Sequence, residues 1–326
     1  MSYYEHQNVS ELTQGLLFES FYLLSDAQIR QSKNGSPYLF ASLSDNSGKV
    51  NAIAWDYNGS LSSADTGKIV FVDGQAGVYN GAPQVICTTI ELATEEECKR
   101  IDLEEIIPFA PVDCEHAAQK MRELLVSIED KDYRNITLFM FDRLASWLTV
   151  YPAAKSIHHA YVGGWLIHTY GMMLIAARVC EAYSPLYPIN RSLLLAGCFV
   201  HDIGKLHELD LSDCNLVQGY TTDGRLIGHS VLGALLLETA YNMGKYPEDK
   251  IRQLQHITLS HHGSPECGAA VLPQTMEAEA VNYLDGLDSR MDIYTSALSK
   301  TDEGQFSEYI AAIGKSIYHI SSKVGE

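Results

Sequence analysis

The pattern of this sequence changes about a third of the way along, and that change limits the folds open to it. Between residues 16 and 93, short runs rich in β-forming residues alternate with turn sequences such as Asp45-Asn46-Ser47-Gly48 and Tyr79-Asn80-Gly81. Aromatic and β-branched residues bounded by Gly, Asn and Asp are typical of short strands. About five strands in under about 80 residues predict a small closed β-barrel.

After the charged stretch Glu95-Glu96-Glu97, helical periodicity replaces the strand pattern, and Pro and Gly breakers separate the segments. The helical patterns cover residues 114–128, 133–149, 160–183, 190–206, 228–243, 249–261, 276–299 and 304–322. We therefore predict a multidomain fold. A small all-β barrel spans residues 1–93, a linker spans 94–113, and an all-α helical bundle spans 114–326.

The composition of the chain limits how it could bind a polyanion such as nucleic acid. Its 326 residues include 23 Lys+Arg and 41 Asp+Glu, a net charge of -18, so it lacks a globally basic surface for nucleic acid. The barrel region is acidic too, with 4 basic and 9 acidic residues in 1–93. We expect any nucleic-acid contact to be local and to depend on stacking.

Cysteine usage and hydropathy indicate the compartment. Seven scattered cysteines without a Cys-x-x-Cys pair fit free thiols in a reducing environment. The first residues lack the basic-then-apolar order of a signal peptide, and the longest apolar stretch, 193–200, is too short to span a bilayer. We expect a cytoplasmic protein with no membrane association.

Histidines concentrate in one part of the helical region. Nine of the 12 fall between residues 158 and 262. His201 and Asp202 follow the apolar run 193–200, where an unpaired ionised carboxylate would cost on the order of several kcal/mol. Imidazoles and carboxylates from several helices can converge inside a bundle and hold metal ions, so this pattern indicates a cation site.

The order of these residues resembles the signature of the HD-domain metal-dependent phosphohydrolases. The elements that carry the resemblance are, in order, His168, His201-Asp202-Ile203-Gly204-Lys205, Gly228-His229, Ser260-His261-His262-Gly263 and Asp285. The sequences over 158–168 and 259–263, with a predicted barrel ahead that resembles an OB-fold, are similar to the YhaM family of 3′-to-5′ exoribonucleases.

That resemblance implies a dinuclear site. It assigns one metal to His168, His201, Asp202 and Asp285, and the other to the bridging Asp202 with His229 and with His261, His262 or both. Asp288 would orient a ligand. The expected metal is manganese, although iron, cobalt and zinc also suit such sites. Asp202 and Lys205 would be the catalytic residues, the lysine stabilising charge on the phosphoryl oxygens.

The resemblance also implies a substrate, single-stranded RNA or DNA cut to nucleoside 5′-monophosphates. Tyr38 and Trp55 are candidates for stacking on bases. His158 and His159 are candidates for substrate contact, with a solvated helix start as the alternative. Arg225 is a candidate phosphate contact, with a solvated turn as the alternative.

Three other functions stay open at this stage. A phosphohydrolase of a small nucleotide or cyclic dinucleotide would share the metal chemistry without needing a strand-binding barrel. A non-catalytic nucleic-acid or protein interaction module would lack one or more ligands, whereas every position is filled here. A di-iron oxygenase could use the same helical frame.

Overall fold

A computed structural model describes residues 5–155, 159–212 and 214–321. The chain divides into two compact units. The first comprises residues 1–109 together with 211–218, and the second comprises 110–210 and 219–326.

The first unit contains a closed five-stranded barrel, as predicted. Its strands are β1 (Leu17–Gln31), β2 (Pro37–Asp45), β3 (Gly48–Trp55), β4 (Ile69–Tyr79) and β5 (Ala82–Leu92). Their order around the barrel is β1-β2-β3-β5-β4. The β3–β5 pair is parallel and closes the barrel, and the other pairs are antiparallel.

Alternation along the strands builds the interior of this barrel. Leu39, Ala41 and Leu43 of β2 are buried. Successive strand residues point to opposite faces, so these three share the inner one. The β4–β5 hairpin turns through Asn80 and Gly81, with φ of 51° and 82°. Two residues with positive φ match the twist of a hairpin, which is why an Asn-Gly pair stands there.

A buried carboxylate fixes the chain ahead of β1. Asp45 Oδ2 accepts a hydrogen bond from the Val9 amide at 2.7 Å and lies 3.0 Å from His6 Nε2. Its Oδ1 accepts from the amides of Ser47 and Gly48. Burial alone would raise the pKa of Asp45, but the hydrogen bonds from His6, Ser47 and Val9 outweigh it and lower that pKa.

Beyond the barrel the chain is mainly helical. Two single-turn helices, α1 (Glu95–Cys98) and α2 (Leu103–Ile106), lie in the predicted linker. The later helices are α3 (Cys114–Val126), α4 (Lys131–Leu148), α5 (Gly164–Tyr183), α6 (Arg191–Val200), α7 (Lys205–Glu208), α8 (Thr222–Leu226), α9 (His229–Gly244), α10 (Glu248–Ser260) and α11 (Met276–Leu298). Among the described residues, no helix has both the length and the apolar character needed to cross a bilayer.

Three local predictions were wrong. The helix expected over 304–322 is absent from the described part of that segment, which instead forms turns with β-bridges between Phe306 and Tyr318 and between Ile310 and Lys315. Gly304 and Gly314 adopt positive φ there, which a helix excludes. The helix expected over 190–206 is interrupted between α6 and α7. A short ribbon, β6 (Leu209–Leu211) and β7 (Val217–Tyr220), was not predicted.

Helix α6 is the centre of the helical bundle. Every residue from Ser192 to Val200 is buried, and the helix packs against α4, α5, α10 and α11. An apolar run with no polar face suits a helix that is surrounded on all sides. The residues that directly follow it, His201 and Asp202, therefore lie in the interior, with 0% and 1% of their surface exposed.

Candidate metal centre

Asp202 lies at the middle of the histidine cluster. Its Oδ2 is 3.3 Å from His201 Nε2, and its Oδ1 is 3.4 Å from His261 Nε2 and 3.6 Å from His229 Nε2. The indole of Trp165 donates to the Asp202 carbonyl at 3.1 Å and so fixes the backbone. The two oxygens thus face two different groups of imidazoles, which we call the first and second sides of the centre.

The first side is formed by α5, the end of α6 and α11. His168 Nε2 lies 3.2 Å from His201 Nε2 and 3.4 Å from Asp285 Oδ1. The other ring nitrogen, His168 Nδ1, is 2.7 Å from Asp288 Oδ2. His168 and His201 are both fully buried. The structure thus brings together the four residues proposed for one metal and places Asp288 behind His168.

The second side is formed by the start of α9 and the end of α10. His229 Nε2 lies 2.9 Å from His262 Nε2, and the rings of His261 and His262 are 4.0 Å apart between centroids. One ligand atom from each of these three residues lies within 4.8 Å of the others, a spacing that can hold a metal ion. The structure therefore brings both His261 and His262 to this side.

Hydrogen bonds assign the ring protons in four of these imidazoles. His201 Nδ1 faces the Cys198 carbonyl at 2.8 Å, and His261 Nδ1 faces the Thr258 carbonyl at 2.7 Å. Both residues directly follow a helix and satisfy a carbonyl of its last turn. The Nδ1 atoms of His168 and His229 face the carboxylates of Asp288 and Glu208.

These partners are all acceptors, so each Nδ1 carries a proton, and in the neutral form of each ring Nε2 keeps a lone pair. The four Nε2 atoms point into the same cluster as the Asp202 carboxylate. Asp202 Oδ1 and His261 Nε2 are buried and have no hydrogen-bond partner among the residues that the structure describes. Convergent lone pairs repel one another unless a positive charge lies between them. The donor set therefore fits divalent cations, with imidazole nitrogen and carboxylate oxygen as ligands.

The pKa values in the cluster also indicate that this site favours a positive charge. Burial opposes protonation of His168, but hydrogen bonds to Asp285 and Asp288 outweigh it and raise its pKa to about 9. Burial and the neighbouring imidazoles of His261 and His229 lower the pKa of His262 to about 4. In the protein without metal, a proton therefore supplies the charge on the first side, while His262 stays neutral.

Lys205 begins the short helix α7. Its Nζ lies 2.6 Å from Asp202 Oδ2, and 12% of its side chain is exposed. The ion pair with Asp202 outweighs burial and raises the pKa of Lys205. The family resemblance assigned this lysine to the phosphoryl oxygens, and the structure adds a direct contact with the central carboxylate.

His159 is buried behind the first side, although the sequence suggested a substrate contact or a solvated position. Its Nε2 donates to Asp288 Oδ2 at 2.8 Å, and its Nδ1 accepts from the Tyr161 hydroxyl at 2.7 Å. The backbone amide of His159 donates to Asp292. Both ring nitrogens are occupied, so this placement makes His159 a support of Asp288 rather than a group that faces substrate. His158 lies outside the described residues.

His159, Asp288 and His168 form a hydrogen-bonded network behind the first side. These three residues also lie close enough to hold a cation. However, Asp288 Oδ2 already accepts a hydrogen bond from each imidazole, at 2.8 Å and 2.7 Å. Asp288 thus orients His168, as carboxylates commonly do for histidine ligands.

The remaining predicted contacts lie elsewhere. Arg225 is exposed on α8, four residues before His229. Tyr38 and Trp55 are in the barrel, with ring centroids 5.0 Å apart. The sequence analysis missed Glu208, which holds His229, and Asn282, whose amide donates to the His261 carbonyl at 2.6 Å. The sequence feature that could have indicated Glu208 is its position one helical turn after Lys205.

Comparison with protein families agrees with this architecture. Residues 165–290 match the family model described as "HD domain". Residues 26–93 match the model described as "OB-fold nucleic acid binding domain". The chain combines an OB-fold with an HD domain. The HD match covers most of α5 to most of α11 and includes all the candidate ligands from His168 to Asp285.

Part of the chain is similar to several solved structures. The second OB-fold domain of replication protein A from Methanococcus maripaludis is 18% identical over 28% of this chain and 97% of its own, with a TM-score of 0.22. Mitochondrial single-stranded DNA binding proteins from S. cerevisiae are 15% identical over 25% of this chain and 98% of their own, with a TM-score of 0.19.

Proposed function

We propose that this protein is a 3′-to-5′ exoribonuclease that hydrolyses single-stranded RNA to nucleoside 5′-monophosphates with two divalent cations. The HD match indicates a metal-dependent phosphohydrolase, and the OB-fold match adds a nucleic-acid-binding domain. The observation that carries the proposal is the convergence of four imidazole Nε2 atoms on the two oxygens of Asp202.

Each side of the centre would hold one cation. On the first side the ligands would be His168, His201, Asp202 and Asp285. On the second side they would be Asp202, His229, His261 and His262. Manganese is the metal we propose, on the strength of the resemblance to the YhaM family, and imidazole-rich sites of this kind also suit iron, cobalt and zinc. A pair of divalent cations lowers the pKa of a nearby water and neutralises charge on a phosphodiester.

The protein's own residues would position the substrate for in-line attack. The Lys205 ammonium, partly exposed beside Asp202, would stabilise charge on the phosphoryl oxygens. Water would attack phosphorus as the 3′ oxygen of the preceding nucleotide leaves, so the released product would be a nucleoside 5′-monophosphate. The lysine would then remain paired with Asp202, and no covalent bond to the protein would form.

A groove on the barrel would bind the strand. It has a volume of about 790 Å³. Its walls are the β1–β2 turn and the aromatic residues Tyr38, Trp55 and Tyr79. Trp55 and Tyr79 expose 54% and 63% of their surface, which is high for large aromatic rings. Because this domain is acidic, stacking on these rings would supply more of the affinity than phosphate contacts.

The decisive experiment follows a 5′-labelled single-stranded RNA incubated with the protein, with and without added Mn²⁺. We expect a ladder that shortens from the 3′ end, that depends on the cation, and that disappears after chelation. Rate should rise with chain length, whereas an enzyme for small nucleotides gains nothing from a longer strand. Full activity after chelation and gel filtration would contradict the proposal.

Substitution Trp55→Ala should weaken strand binding without changing the chemistry. Loss of one stacked base costs about 1 to 3 kcal/mol, so we expect roughly 5- to 150-fold weaker binding of a long RNA. Cleavage of a dinucleotide should stay near the wild-type rate. Fluorescence anisotropy and single-turnover assays measure the two effects. Phe71→Leu, which removes a ring that contacts Phe21 outside this groove, is the control.

A further inference from the structure

Glu208 lies beside the centre without reaching its cation-facing side. Its Oε1 is 3.0 Å from the backbone nitrogen of His229 and 3.0 Å from His229 Nδ1, and its Oε2 is also 3.0 Å from that Nδ1. Only 12% of the Glu208 side chain is exposed. One carboxylate therefore holds both the backbone and the ring of His229.

We propose that Glu208 is a positioning residue that fixes the proton of His229 on Nδ1 and thereby keeps Nε2 available as a cation ligand. The inference rests on the proposed function, because it takes His229 as a ligand. A carboxylate only accepts hydrogen bonds, so the ring nitrogen that faces it must carry the proton. The opposite nitrogen, His229 Nε2, lies 2.9 Å from His262 Nε2 and 3.6 Å from Asp202 Oδ1.

The backbone around Glu208 is held in place on both sides. Its amide donates to the Gly204 carbonyl at 3.1 Å, and its own carbonyl accepts from the Thr221 amide at 2.9 Å. The carboxylate therefore reaches His229 from a fixed position and does not have to be ordered when a cation binds. Such prior ordering is how residues outside the ligand set raise metal affinity.

The start of α9 favours an ionised carboxylate at this position. Gly228 is the N-cap of this 16-residue helix and has no side chain that could accept its first amides. Glu208 replaces that missing acceptor, and the helix dipole stabilises its negative charge. Capping of α9 alone would explain the contact with the backbone nitrogen, but it would not require the contact with the ring.

The test compares Glu208→Ala and Glu208→Gln in the full-length chain after metal removal, with Mn²⁺ as the probe in calorimetric titration. Two binding events are expected in wild type. Glu208→Ala should weaken one of them by about 10- to 100-fold and leave the other nearly unchanged. In Glu208→Gln the amide oxygen can still accept from both donors, so the loss should be less than about tenfold.

The imidazole ¹⁵N chemical shifts of the metal-free protein report the tautomer of His229. A purely structural role of Glu208 would leave that tautomer unchanged when Glu208 is substituted. His229 should carry its proton on Nδ1 in wild type and Glu208→Gln, and should become a mixture of tautomers in Glu208→Ala. Asp113→Ala is the matched control, because Asp113 also caps a helix, by accepting from the His116 amide, but contacts no imidazole of the centre. It should lower thermal stability and leave Mn²⁺ affinity unchanged.

The outcomes separate this inference from the proposed function. Unchanged Mn²⁺ affinity and an unchanged His229 tautomer in Glu208→Ala would overturn the inference, even if the wild-type protein degrades RNA. Equal losses in the Ala and Gln variants would overturn it as well. Conversely, the predicted affinities and spectra would support the inference even if the wild-type protein leaves RNA intact, an outcome that contradicts only the nuclease proposal.

Discussion

Asp202→Asn should reduce RNA hydrolysis by at least about a thousandfold. The substitution preserves shape and removes the negative charge that faces both sides of the centre. It also replaces one carboxylate oxygen with an amide group, which is a poor cation ligand. The Lys205 ammonium, 2.6 Å from Oδ2 in the native protein, would lose its buried ion pair. Single-turnover assays at saturating Mn²⁺ measure the loss directly.

The barrel, with its proposed binding groove, gives this prediction an internal control. Affinity for a non-cleaved single strand should stay close to the wild-type value in Asp202→Asn, since the groove formed by Tyr38, Trp55 and Tyr79 is intact. Asp249→Asn, an exposed carboxylate on α10, is the matched variant and should retain full activity. Hydrolysis by Asp202→Asn within tenfold of wild type would refute the central role of this aspartate.

Gly204→Ala should destabilise the protein and abolish most activity. A Cβ on Gly204 would lie 1.9 Å from the His229 carbonyl oxygen and 2.5 Å from the Gly233 nitrogen. Both are backbone atoms, so α9 itself would have to move. Overpacking of this kind costs about 3 kcal/mol, and a displacement of about 1 Å at a reacting site can cost about 100-fold in rate. Thermal unfolding and RNA cleavage assays measure the two effects.

Gly286→Ala provides the comparison for this substitution. Gly286 is exposed in the middle of α11, and a Cβ there would meet nothing within 4 Å. Alanine favours helix over glycine by roughly 0.5 to 1 kcal/mol, so this variant should be as stable as wild type or slightly more stable. If Gly204→Ala unfolds at the same temperature as Gly286→Ala, the close approach of α7 to α9 is not a constraint.

The local sequence pattern was sufficient to predict the barrel and the location of the helical bundle. Period-two alternation in β2 and the Asn80-Gly81 turn depend on neighbouring residues, and both formed as predicted. The last segment was misjudged for the opposite reason. Its apolar spacing suits a helix, but Gly304 and Gly314 take up positive φ, and pairing of Phe306 with Tyr318 is decided by residues distant in sequence.

The candidate ligands and one supporting carboxylate, Asp288, could be named from the sequence because their residue types and order are distinctive, whereas the roles of Glu208 and His159 could not. His168 and Asp285 are recognisable as side chains that suit a metal. The role of Glu208 depends on a contact with His229, 21 residues away in the chain. That of His159 depends on Asp288, 129 residues away. Contacts between residues so far apart produce no periodic pattern in the sequence. Only the tertiary structure therefore reveals which carboxylate holds which imidazole.

The segment 211–218 has a practical consequence for dissecting the molecule. The chain passes from one compact unit to the other at 109/110, returns at 210/211 and leaves again at 218/219. A Cβ on Gly67 would lie only 3.1 Å from the Ser212 Cβ, which shows how closely the returning segment packs on its own unit. A fragment that starts at residue 110 would therefore retain the segment 211–218 without the rest of the first unit. Excising the helical unit cleanly would require a short designed loop in place of 211–218.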